Sequence, residues 1–371
     1  MNSIITRNYL RLLRAGCFGT DEAVEPMSAW KWGQVVELSA LHHTTALIYD
    51  GYRRCSDQFF LKMPQRLVTI MENGAKAAEQ AYAETVAVAL QLHERLSLQQ
   101  CRPILTGALS YSVNYPVAAH CHAPRIHVFL PYETQGKKAD DWADYTCGNL
   151  RFDDKHTTAY EWLGASIMHH HRLLQLSNRL LGHGFQGVLE QELRESRTHT
   201  ILLGNQQLET LSPTLALFHL LFRLSQDLLS KGITLPDLLH LGILLRQTGD
   251  RVDFVKLQSW SDRLKMQRML TLIGQLMIDL LAFEQDELPF ATFDQSFDTQ
   301  RIVQEILLSQ ADADHRMTFS QGDNSIFVHA GNKRAVMWHV RRSARFMKYY
   351  PSESLASFFS SFARSITDIE E

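Results

Sequence analysis

The sequence has few breaks in it. Its 371 residues include only 19 glycines and 10 prolines, the residues that most often end regular structure, so the chain leans toward helices. Its five cysteines, Cys17, Cys55, Cys101, Cys121 and Cys147, are odd in number and form no CxxC pair. That argues against a disulfide framework or a zinc ribbon and for reduced thiols. Neither sign of charge is in surplus. Lys plus Arg number 37 and Asp plus Glu 40, a net charge of −3, which lacks the basic excess of a nucleic-acid binder and the acidic excess of a disordered tail. A long apolar run is missing too: Met269–Phe283 is interrupted by Gln275 and Asp279 and is too short to span a bilayer. Arg7, Arg11 and Arg14 interrupt the opening stretch, which therefore lacks a signal peptide's apolar core. The expectation is a soluble, cytoplasmic protein with no membrane partner and no sequence-specific nucleic acid. Walker A, GxGxxG, GxSxG and HExxH patterns are all absent.

What is present is a helical pattern at both ends and a different texture in the middle. Apolar residues recur at helical spacing over Ile4–Ala15 and Trp32–Asp50. Pro64 opens a long stretch reaching about Gln100, in which Asn73-Gly74 is a place for a break. From Cys101 the spacing predicts a strand over Arg102–Gly107, a short helix over Ala108–Asn114 and a strand over Arg125–Leu130. A helix over Gln135–Tyr145 and strands over Asn149–Phe152, Thr157–Trp162 and Ala165–His171 follow. Helices are expected at Leu173–Leu181 and Gln186–Glu195. Ser212 as N-cap and Pro213 at the first helical position open another, to about Leu229. Leu235–Gln247, Asp253–Leu264, Met266–Phe283, Gln300–Ser309, Arg334–Lys348 and Glu353–Ser365 complete the set, with Glu284–Asp298 as a loop. The fold class expected is α+β and mostly helical, with a small mixed sheet in mid-chain. It divides into an N-terminal helical region at 1–84, an α+β core at 85–205 and a C-terminal helical domain at 206–371.

Four stretches together carry a resemblance. They are Pro103–Pro116 (PILTGALSYSVNYP), Arg125–Pro131 (RIHVFLP), Tyr160–Leu173 (YEWLGASIMHHHRL) and Leu211–Gln247, with its helices on either side of Gly232-Ile233. In this order and spacing they resemble a bacterial nucleotidyltransferase-like family, a divergent branch of the polymerase-β-type fold, over most of the chain from about residue 30 onward. The resemblance implies transfer of a nucleotidyl group from an NTP. Such chemistry uses two Mg²⁺ ions held by three carboxylates, two of them at i and i+2 on one strand so that both point to one face.

This sequence departs from that pattern at each acidic position. The two family aspartates align with Arg125 and His127, the glutamate with Met168, and the lysine before the glycine with Thr106. Gly107, Tyr115-Pro116, His170 and Arg172 remain. A cleft so altered loses its metal ligands and keeps groups that suit anions, since an arginine offers a planar fork to phosphate. Thr106, Gly107, Arg125, His127 and His170 are therefore the expected nucleotide-binding residues, with no catalytic residue and no metal ligand assigned and no cofactor expected. The ligand in view is a nucleotide or another phosphate-bearing small molecule, with a protein partner as the other prospect. Two alternatives stand beside this reading. One is an active enzyme using Mg²⁺, an NTP and acids at other positions, the nearest being Asp140, Asp141, Asp153, Asp154 and Glu161. The other is a helical interaction scaffold without a ligand.

Seven of the 17 histidines fall between His120 and His171. Clustering alone does not make a metal site, and the plainer reading is a loop and strands whose histidines alternate between core and solvent. Asp312 and Asp314 have the i, i+2 spacing but sit in a polar stretch read as a solvated loop. Lys333, Arg334, Arg341, Arg342, Arg345 and Lys348 read as a solvated helix face.

Overall fold

The computed structural model describes residues 3–59, 61–154, 156–174, 185, 189, 192–193, 198–293, 297–308, 345–351 and 354. The fold is α+β and mostly helical, around one mixed seven-stranded sheet. The chain forms two compact units, one of 1–173, 190–217 and 239–252, the other of 174–189, 218–238 and 253–371.

The first unit opens with helices α1 (Ile4–Phe18), α2 (Ala29–Leu41), α3 (Thr45–Arg54) and α4 (Gln65–Leu98). The single helix expected over Trp32–Asp50 is two. His43, at φ 53, turns the chain left-handed between α2 and α3, and the Thr44 N–H closes back on the Ser39 carbonyl at 2.8 Å. No break occurs at Asn73-Gly74, because α4 runs unbroken for 34 residues. Gly74 serves packing instead, since a Cβ there would lie 2.8 Å from Thr45 Cγ2.

Strands β1 (Ile104–Thr106), β2 (Arg125–Phe129), β3 (Arg151–Asp154), β4 (Thr157–Trp162) and β5 (Ala165–His170) follow, with short helix α5 (Ala108–Tyr111) after β1 and α6 (Glu133–Cys147) after β2. A hairpin that the periodicity reading passes over, β6 (Thr198–Leu203) and β7 (Gln206–Leu211), completes the sheet in the order β3-β4-β5-β2-β1-β7-β6. Its two-residue loop begins at Gly204, whose φ of 59 suits a primed hairpin turn. β2 runs antiparallel to β1 and parallel to β5, and β1 runs parallel to β7.

One face of the sheet is the core of this unit. Leu105, Ile126, Val128, Tyr160 and Ile167 pack there with Val86, Ala89, Leu92 and Leu96 of α4 and Ala139 and Ala143 of α6. Helices α7 (Pro213–Leu229) and α8 (Leu235–Thr248) come next. Ser212 Oγ accepts from the Leu215 N–H at 3.4 Å, as an N-cap should.

The second unit includes α9 (Phe254–Arg263), α10 (Gln267–Leu281) and α11 (Gln300–Leu308). Asp253 caps α9 by accepting from the Lys256 N–H at 2.9 Å. Phe185, Phe218 and Trp260 form an aromatic cluster, with Phe218 and Trp260 centred 5.2 Å apart. The expected helices at Leu173–Leu181, Gln186–Glu195, Arg334–Lys348 and Glu353–Ser365 lie largely outside the described residues, as do Asp312, Asp314, Lys333, Arg334, Arg341 and Arg342. Arg345 pairs with Glu305, and Lys348 Nζ lies 4.6 Å from the centre of the Tyr349 ring. No helix among the described residues is long and apolar enough to cross a membrane.

Candidate functional site

Arg125, His127 and Met168, the residues expected at the family's acidic positions, meet on the sheet face opposite the α4 core. Register fixes this. Thr106 pairs with His127, His127 with Met168, Met168 with Ala159 and Ala159 with Arg151, one in-register row across five strands. Residues paired across neighbouring strands share a face, so these side chains point the same way. The neighbouring row carries Arg125, Ser166 and Glu161, and the one on the other side Phe129, His170 and Thr157.

The five expected ligand-binding residues come together here. Thr106 ends β1, 2% exposed, and its hydroxyl points toward the His127 carbonyl at 3.4 Å. Gly107 takes φ 70 and ψ −162, a conformation for which glycine is suited. The ring of His127 lies against it: a Cβ on Gly107 would sit 3.0 Å from His127 Cδ2. His127 Nδ1 and His170 Nε2 are 2.9 Å apart. The two ring planes differ by 5° with centres 5.2 Å apart. Facing nitrogens at that ring separation put the rings edge to edge, joined by an N–H···N hydrogen bond. At the far side His170 Nδ1 is 3.3 Å from Thr157 Oγ1. Arg125 is exposed, and its Nη1 lies 4.0 Å from Met168 Sδ.

Two Mg²⁺ ions do not fit this donor set. Mg²⁺ wants several hard oxygens in near-octahedral array. On β2, β4 and β5 the register brings one carboxylate to this face, Glu161, in the row of Arg125. Imidazoles, a thioether and a guanidinium hold the positions where the resemblance leads one to expect carboxylates. Among the described residues no group of three or more His, Cys, Asp and Glu is placed to hold a metal ion.

Asp140, an acid considered for the alternative reading, is committed elsewhere. It belongs to α6 and meets the opposite, core-facing side of β5. His169 Nδ1 lies 3.3 Å and His171 Nε2 3.0 Å from its carboxylate, and the Thr158 hydroxyl donates to it at 3.0 Å. Burial raises the Asp140 pKa, but the bonds from His169 and then His171 outweigh burial and hold it well below the carboxylate range. His169 is wholly buried, which lowers its pKa and keeps it neutral against the pull of Asp140. Its proton therefore sits on Nδ1 toward Asp140, and Nε2 accepts from the Tyr160 hydroxyl at 2.8 Å. Gly136 gives the His171 ring its room, since a Cβ there would come within 2.3 Å of Nδ1. Asp141 and Glu161 are exposed.

Two partners escape the sequence reading. Thr157 leaves no mark in the sequence because its link to His170 runs between strands. His240 Nδ1 on α8 lies 2.8 Å from the Tyr115 hydroxyl; a lone histidine in an apolar helix gives no sign of this. Tyr115-Pro116 is thereby anchored near the glycine turn.

No curated protein and no solved structure matches the chain. A family model described as "Uncharacterised nucleotidyltransferase" matches residues 28–282, well over half of the sequence, and the chain belongs to that family.

Proposed function

We propose that this family member has given up metal-dependent nucleotidyl transfer and binds a nucleotide or another phosphate-bearing small molecule on the Thr106, Gly107, Arg125, His127 and His170 face. One observation carries the reading. Arg125, His127 and Met168, the residues expected at the family's acidic positions, lie side by side on one face of the sheet. An arginine fork and two imidazoles favour an anion, as carboxylates would favour a cation. A cytoplasmic setting belongs to the same reading, because all five cysteines are unpaired and four are buried. A protein could engage this face through its own phosphate or carboxylate groups by the same chemistry.

The test is a thermal-shift panel of nucleoside triphosphates and inorganic phosphate, with and without Mg²⁺, beside an assay for pyrophosphate release. A ligand at a hundred times its Kd adds about 2.7 kcal/mol to the folded state. The expected result is stabilisation that does not need Mg²⁺, is lost in Arg125→Ala and comes with no pyrophosphate. Mg²⁺-dependent pyrophosphate release would sink the loss of chemistry. Absence of any shift would favour the scaffold reading.

A further inference from the structure

We propose that His120 is a buried cation that latches the segment Tyr115–Pro124 onto the N-terminal helices and releases it on losing its proton. The ring sits between two carboxylates. His120 Nδ1 is 2.5 Å from Asp50 Oδ2 on α3, and Nε2 is 3.2 Å from Glu79 Oε1 on α4. A neutral imidazole has one N–H and one lone pair, and a carboxylate only accepts. Both nitrogens therefore carry protons, and the ring is an imidazolium with a side chain 5% exposed. Burial opposes the charge, but the bonds to Asp50 and then Glu79 outweigh it and set the pKa above the ordinary histidine value.

The segment so held connects the glycine turn to β2. Cys121 Sγ lies 3.5 Å from the carbonyl of Ala108, the residue after Gly107. The Tyr115 hydroxyl reaches His240, and the chain then enters β2 with Arg125 and His127. Other titratable groups around the latch include Tyr82 of α4, which lies within range of Cys121. Lys76 of α4 acts on Glu79. The Cys17 thiol of α1 lies within range of Asp50, Cys121 and Arg246 of α8. His122 stacks on His43 with ring centres 4.4 Å apart. Asp50 and Glu79 are the charges that act on His120 itself. The folded-state pKa is raised, so the docking is complete below the ordinary histidine value and is lost as pH rises through the folded value.

Hydrogen exchange of the full chain between pH 6 and pH 9, corrected for the intrinsic rate, tests this. Amides in 115–124 should lose protection as pH rises from the ordinary histidine value to the folded value, by up to about tenfold per pH unit, and level off above it, while amides in the middle of α4 stay constant. Glu79→Gln, an exposed position, should move the loss down by about half a pH unit, the size an exposed charge pair supplies. His120→Gln should make protection of the segment independent of pH. Equal pH dependence in 115–124 and α4, or no movement of the midpoint in Glu79→Gln, overturns the latch.

Discussion

Single side chains on this sheet divide by parity. Even-numbered neighbours on β5 look to the proposed ligand face, and His169 looks to the core, where Asp140 and Tyr160 hold it. Asp140→Asn puts an amide donor against groups that already donate. We expect a loss of about 2 kcal/mol at pH 7, the scale of hydrogen bonds to a charged group, measured by urea denaturation. The Asp140 pKa is depressed by folding, so this contribution is present above the unfolded carboxylate value of about 4. It fades as pH falls below that toward the folded value, and wild type and variant should converge there. Much of this level was legible in the sequence. Alternation alone assigns Arg125 and His127 to one face of β2. That His127 bonds His170 was not legible, because it depends on parallel register between strands about forty residues apart.

At the level of elements, α1 and α3 touch backbone to backbone. A Cβ on Gly16 would lie 1.9 Å from the Leu47 carbonyl oxygen, and one on Gly51 would lie 1.9 Å from that of Leu12. Neither atom can swing aside. Gly16→Ala and Gly51→Ala each gain about 1 kcal/mol in helix propensity but force the helices apart at about 3 kcal/mol. A net loss of about 2 kcal/mol is expected in chemical denaturation. An unchanged midpoint would show that the crossing relaxes. The periodicity located α1, α4, α6 and α9 closely, because each presents an apolar stripe. It fused α2 with α3, since a histidine at positive φ leaves no mark in an apolar pattern. It also passed over β6 and β7, whose alternation is diluted by Gln206, Gln207 and Glu209 on a strand pair at the sheet's end.

For the molecule as a whole, composition gave the class, and the order of four motifs gave the family. The net charge of −3 stands beside 17 histidines, and the isoelectric point is near 6.6. Solubility should pass through a minimum close to that pH, since self-repulsion vanishes there; light scattering across pH 5 to 8 reads it directly, and a flat profile would contradict it. The sheet's topology has a consequence in time. Leu105 of β1 is paired with Thr210 of β7, and Arg102 binds Glu209 across 107 residues of sequence. On the ribosome β1 emerges long before its parallel neighbour. Five of the seven strands must wait, with one edge open, for the hairpin that pairs with it. Such distant pairing makes late assembly slow and leaves the nascent edge open to other strands, so the emerging chain is at its most vulnerable to mispairing until residue 211 has cleared the exit tunnel.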